Sequence, residues 1–71
     1  MINPNDWKIG MQITLPANVG ISGPNGKEIK NELTAIIDGM HKREDNSWSV
    51  SLKFKNGNTR SYIVPINCFN W

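Results

Sequence analysis

The stretch Ser47-Trp48-Ser49-Val50-Ser51-Leu52-Lys53-Phe54-Lys55 decides the fold. Its apolar residues, Trp48, Val50, Leu52 and Phe54, occupy every second position. Successive side chains of a strand point to opposite faces, so this alternation describes a strand with one apolar and one polar face. Asn56-Gly57 follows at once, the dipeptide that best tolerates the positive φ angles of a tight hairpin. Two registers are open. A two-residue loop pairs Leu52 with Ser61 and Val50 with Ile63. A three-residue loop, Asn56-Gly57-Asn58, pairs Leu52 with Tyr62 and Val50 with Val64. The second gathers more apolar side chains on one face and is the expected register. Ser49, Ser51, Lys53, Lys55, Thr59 and Ser61 then form the outer face. Pro65 has no N–H to give a ladder and ends the returning strand.

A lone hairpin is marginal in water, so the flanking segments must supply neighbours. Upstream, Ile29, Leu33, Ile36, Ile37 and Met40 fit an amphipathic helix over roughly 27–38 with Gly39 as its C-cap. The rival is a strand from about Leu33 to Lys42, closed by a turn at Arg43-Glu44-Asp45-Asn46. The need of the Trp48 strand for a partner favours the strand. Earlier still, Trp7, Ile9, Met11, Ile13 and Leu15 alternate, which predicts a first strand over 7–15, ended by Pro16. Residues 16–31 carry Pro16, Gly20, Gly23, Pro24 and Gly26 and read as a long loop. Val19 and Ile21 either return to the core or stand exposed. After Pro65, Ile66-Asn67 reads as a short turn and Cys68-Phe69-Asn70-Trp71 as a last strand. The expected architecture is all-β with five strands. The alternative is α+β, a three-stranded antiparallel sheet with one helix near 27–38.

Strand order and turn placement together resemble an SH3-like barrel. The resemblance rests on Asp45-Asn46-Ser47-Trp48, on Asn56-Gly57, and on Val64-Pro65-Ile66-Asn67-Cys68-Phe69. It covers roughly 45–71 by motif and 7–44 by layout. Such domains carry an acidic-then-Trp segment at the third strand and close with an apolar-Pro-x-Asn-Tyr-Val segment. Here Cys68 stands in place of that Tyr, and the family's Ala-Leu-Tyr-Asp-Tyr segment is absent. Of the groove that takes proline-rich peptides, the resemblance carries over Pro65 and Asn67, with Trp48 in phase with the core residues Val50 and Leu52. It implies a small barrel of bacterial or viral type that uses its surface for another recognition. Fold alone does not set that function.

Composition bounds the rest. Seventy-one residues make one domain, 1–71. The net charge is +2 and 38% of residues are apolar, so the chain is neither a strong polycation nor a disordered one. Asn, Ile and Lys make up 25 of the 71 residues. All three draw on A/T-rich codons, which points to an AT-rich bacterial or phage genome. No apolar run approaches the roughly 20 residues of a bilayer span. The N-terminal residues lack a basic-then-apolar leader pattern. With one cysteine, Cys68, no intramolecular disulfide forms. A cytoplasmic protein without metal or other cofactor is the expectation, and so is the absence of a membrane partner.

Catalytic chemistry has few candidates. His41 and Cys68 are the only thiol–imidazole pair, and nothing in their spacing provides a third, orienting group. Glu44-Asp45 reads as a solvated turn and not as a metal site. Gly20-Ile21-Ser22-Gly23-Pro24-Asn25-Gly26-Lys27 is glycine-rich but lacks the Gly-Lys-Ser/Thr of a phosphate loop. Three tryptophans are many for this length; in an SH3-like barrel the termini come close, so that resemblance implies that Trp7 and Trp71 pack together or cover the barrel's bottom. The functional expectation is a non-enzymatic protein-interaction module, an accessory protein that binds and modulates a host protein. Its candidate contacts are Val19, Ile21, Trp48, Pro65 and Asn67. The alternative is nucleic-acid binding through a mildly basic face of Lys42, Arg43, Lys53, Lys55 and Arg60, with Tyr62 and Trp48 for stacking. A homo-oligomer covering an exposed strand edge is a third expectation.

Overall fold

The structure, a computed structural model, describes residues 4–65. Four strands form one antiparallel sheet in the order β1 (Gln12–Leu15), β2 (Leu33–Lys42), β3 (Trp48–Lys53) and β4 (Thr59–Val64). The alternating stretch from Trp48 lies at the centre of this meander, paired with β2 on one side and β4 on the other. Val50 and Leu52 point inward and are fully buried, as their spacing requires. They meet Ile13, Leu15, Ile21, Ala35, Ile37, Tyr62 and Val64 in one apolar cluster. The all-β class is therefore correct, and the α+β alternative is not. Among the described residues there is no α-helix, and the stretch 27–38 is divided between a loop hairpin and β2.

A bulge explains why that stretch mimics a helix. Register shifts between Ile37 and Gly39, which leaves Asp38 unpaired and exposed. One extra residue reverses strand phase. Ala35 and Ile37 point inward before the bulge, and half-buried Met40 packs on the core after it. The spacing 33, 37, 40 then imitates helical periodicity while the backbone stays extended.

The N-terminal strand is shorter than its alternation predicts. The strand covers only Gln12–Leu15, with Ile13 and Leu15 buried, although the Gly10 N–H donates to the Ile37 carbonyl and the Ile37 N–H to the Met11 carbonyl just before it. Pro4–Asp6 forms a 3₁₀ turn, and the Met11 N–H donates to the Lys8 carbonyl at 3.0 Å. Gly10 sits in that turn at φ +92°, a conformation strand residues do not adopt. The reversal leaves Ile9 68% exposed and Met11 42% exposed, against the expectation that both face the core. Trp7 still packs against the core.

The β3–β4 register differs from the expected one by two residues. Val50 pairs with Tyr62 and Leu52 with Arg60. The loop does hold three residues, but they are Lys55-Asn56-Gly57. The Phe54 N–H donates to the Asn58 carbonyl and the Gly57 N–H to the Phe54 carbonyl. The left-handed residue must come third in such a loop. That place falls to Gly57 at φ +87°, which moves the whole loop back by one. A shift of two keeps every side chain on its expected face. The turn at 66–67 and the strand at 68–71 lie outside the described residues, as does Trp71.

Candidate functional site

The long segment between β1 and β2 is itself a hairpin. The Ile29 N–H donates to the Ile21 carbonyl at 2.9 Å, and the Gly23 N–H to the Lys27 carbonyl at 2.8 Å. Its tip, Pro24-Asn25-Gly26, repeats the chemistry of the other two turns. Gly26 takes the left-handed position at φ +78°, and the Asn25 side chain accepts the Lys27 N–H at 3.1 Å. Asn56 does the same for the Asn58 N–H, and Asp45 for the Ser47 N–H, both at 3.0 Å. One turn design therefore serves three times.

Two reciprocal hydrogen bonds pin this hairpin beside β4. The Ser22 N–H donates to the Ile63 carbonyl at 3.0 Å, and the Ile63 N–H to the Ser22 carbonyl at 2.9 Å. Ile21, immediately before, is fully buried and anchors the base. Between the hairpin and β4 lies a groove of about 470 Å³. Tyr62, Ile29 and Pro24 give it apolar walls, and Lys27, Glu28 and Arg60 give it charge. Arg60 and Tyr62 stand two apart on β4 and so project to the same side. The Tyr62 ring is almost wholly buried, held edge-to-face by Phe54 at 6.3 Å between centroids. A side-chain carbon at Gly23 would rest 3.6 Å from that ring, so the hairpin backbone already lies against it.

Charge in the groove is unevenly committed. Glu28 accepts the Gly20 N–H at 2.6 Å and the Lys30 ammonium at 3.0 Å. The Lys30 hydrogen bond, then the Gly20 N–H, hold its carboxyl below the usual glutamate value, so it is ionised at neutral pH. Lys30–Glu28 is the one ion pair among the described residues. Lys27 and Arg60 have no carboxylate partner there.

Two further cavities are of different character. One of about 520 Å³ is lined by His41, Arg43, Glu44, Asp45 and Ser49. A smaller one of about 130 Å³ is lined by Gln12, Thr34, Ala35, Ile36, Lys53 and Lys55. The five candidate nucleic-acid residues are thus spread over the surface. Arg43 lies at the polar cavity, with Lys42 next to it in sequence, Lys53 and Lys55 at the small one, and Arg60 at the groove. Tyr62 is buried on the inward face, and Trp48 is half-buried against the core.

The candidate protein contacts divide as well. Val19 is 41% exposed on the loop, whereas Ile21 is a core residue that no partner can reach. Trp48 begins β3 between Lys42 and Val64 and is half-buried. Its Nε1 is buried without a hydrogen-bond partner among the described residues. Pro65 is half-buried directly after β4. Asn67 and Cys68 lie outside the described residues, so the His41–Cys68 pairing has no geometry here. Of the groove residues, the sequence reading names Arg60 and Tyr62 as site residues only within the nucleic-acid alternative and does not join them to Pro24, Lys27 and Ile29. The signal was there in Asn25-Gly26, the same dipeptide as Asn56-Gly57, which marks a second hairpin tip.

Among the described residues, no three His, Cys, Asp or Glu side chains converge to hold a metal ion. No described helix is long and apolar enough to cross a membrane. No family model, curated protein or solved structure matches the chain.

Proposed function

We propose that this chain is a non-enzymatic protein-interaction module. It binds a partner protein in the groove between the Ile21–Ile29 hairpin and β4. The observation that carries this reading is the groove itself: an open concavity with apolar walls, a charged rim, and a backbone pinned on both sides. Its walls are preorganised, so little ordering cost opposes binding. The fold is a five-stranded SH3-like barrel in this reading. The Ser22–Ile63 bridge supports closure, because it brings the chain leaving β1 onto the far edge of β4. The biological role is that of a small bacterial or phage accessory protein which works in the cytoplasm by modulating a host protein.

A tagged pull-down from nuclease-treated host lysate, washed at high salt, tests the function. The wild-type chain should retain one protein near stoichiometry, and the groove variant Arg60→Glu should lose it. Retention that vanishes with nuclease and salt would move the function to nucleic acid, since phosphate contacts weaken steeply with salt. Recovery of the bait alone would end the partner reading and point to self-association.

A further inference from the structure

We propose that the groove takes an extended acidic peptide segment, its carboxylates held by Lys27 and Arg60 and an apolar side chain seated against Ile29 and Pro24. This rests on the groove being the binding site and names the chemistry of its occupant. The argument is one of charge complementarity. Three ionic side chains line the groove, and the single anion among them, Glu28, is satisfied within the hairpin by Gly20 and Lys30. The two cations are exposed and unpaired among the described residues. A ligand therefore meets two open positive charges beside an apolar wall. Arg60 offers a planar fork that suits a carboxylate, and Lys27 offers a mobile point charge.

The same inventory disfavours a nucleic-acid strand. A phosphodiester backbone needs a continuous cationic track, whereas Lys53, Lys55 and Arg43 lie at other cavities. Base stacking needs an open ring face, and Tyr62 is only 4% exposed. A basic peptide would set like charge against Lys27 and Arg60. A purely apolar one would leave both cations without a partner.

Selection from a random-peptide display library against the whole chain tests this. The expected outcome is enrichment of peptides combining Asp or Glu with Leu, Phe or Trp. An amide chemical-shift titration with one enriched peptide should then mark Gly23, Gly26, Ile29 and Arg60. The double variant Lys27→Ala/Arg60→Ala should weaken that peptide about tenfold. The charge-reversed variant Lys27→Glu/Arg60→Glu should select basic peptides instead, a result that loss of folding would not produce. Enriched peptides that are neutral or basic yet shift the same amides would overturn the acidic occupant and leave the groove standing as a site. Enriched peptides that shift amides elsewhere, or no enrichment at all, would overturn both.

Discussion

The turns at the two ends of β3 share a backbone and differ in what fills it. In Arg43–Ser47 and in Phe54–Asn58 the same two main-chain hydrogen bonds close a three-residue loop. In both, the middle residue accepts the N–H two positions on. The left-handed position, however, is Asn46 at φ +70° in one and Gly57 at φ +87° in the other. The middle residue is Asp45 in one and Asn56 in the other. The first turn compensates for its non-glycine residue with an added bond, because the buried Ser47 hydroxyl also donates to Asp45. The second turn uses glycine and has no such bond. A backbone demand can thus be met either by removing the side chain that objects or by adding a bond that outweighs it.

The largest test removes what both turns share. Leu52→Ala empties a fully buried position of β3 and should cost about 2–5 kcal/mol. The urea midpoint should fall by the same amount whichever hairpin carries the probe. Unequal loss would mean that the two hairpins do not unfold together. Next come the left-handed positions. Gly57→Ala puts a Cβ where nothing obstructs it in space, so its cost is the backbone conformation alone, about 1–2 kcal/mol. Asn46→Gly relaxes the other turn and should raise the stability by about 0.5 kcal/mol after the added freedom of the unfolded chain is counted, read as a higher urea midpoint. A destabilising Asn46→Gly would mean that the Asn46 side chain contributes more than its φ angle costs.

The smallest effect is electrostatic. The Ser47 hydroxyl, then the Ser47 N–H, hold the Asp45 carboxyl below its usual value. The folded form therefore binds a proton less readily than the unfolded chain. This contribution is complete above the unfolded aspartate value and fades as pH falls through the lower, folded one. Asp45→Asn should flatten the acid limb of the stability curve in that window, and Asn56→Asp should steepen it. Both can be read from thermal midpoints at a series of pH values. Equal acid limbs in Asp45→Asn and wild type would show that the Ser47 bonds do not distinguish the charged side chain from the neutral one.

Strand class and strand order were legible because period two is a strong signal where one face is buried. Val50, Leu52, Ala35, Ile37, Ile13 and Leu15 all obey it. The chain from Leu33 to Lys42 and its turn at 43–46 lie where the sequence predicts. The departures came from single residues. Gly10 delayed the start of the first strand, the unpaired Asp38 lent the favoured β2 strand its rival helical spacing, and Gly57 moved a register by two without changing the face of any side chain. The groove was not legible because it belongs to no one segment. Tyr62 reads as core and Pro24-Asn25-Gly26 as loop until the Ser22–Ile63 bonds bring them together.

Those bonds also bear on how the molecule assembles in time. Strands β2 to β4 are joined by short turns, and their contacts close small loops. Ser22 and Ile63 lie more than half the chain apart. Closing a longer loop costs more entropy, and contacts between distant residues are slower to form than local ones. The meander is therefore the part of the fold that can collapse first, and the groove comes into being only with the last step. A ligand that bridges Arg60 to the Gly23–Lys27 tip would hold that step closed. Binding and the completion of folding would then draw on the same free energy.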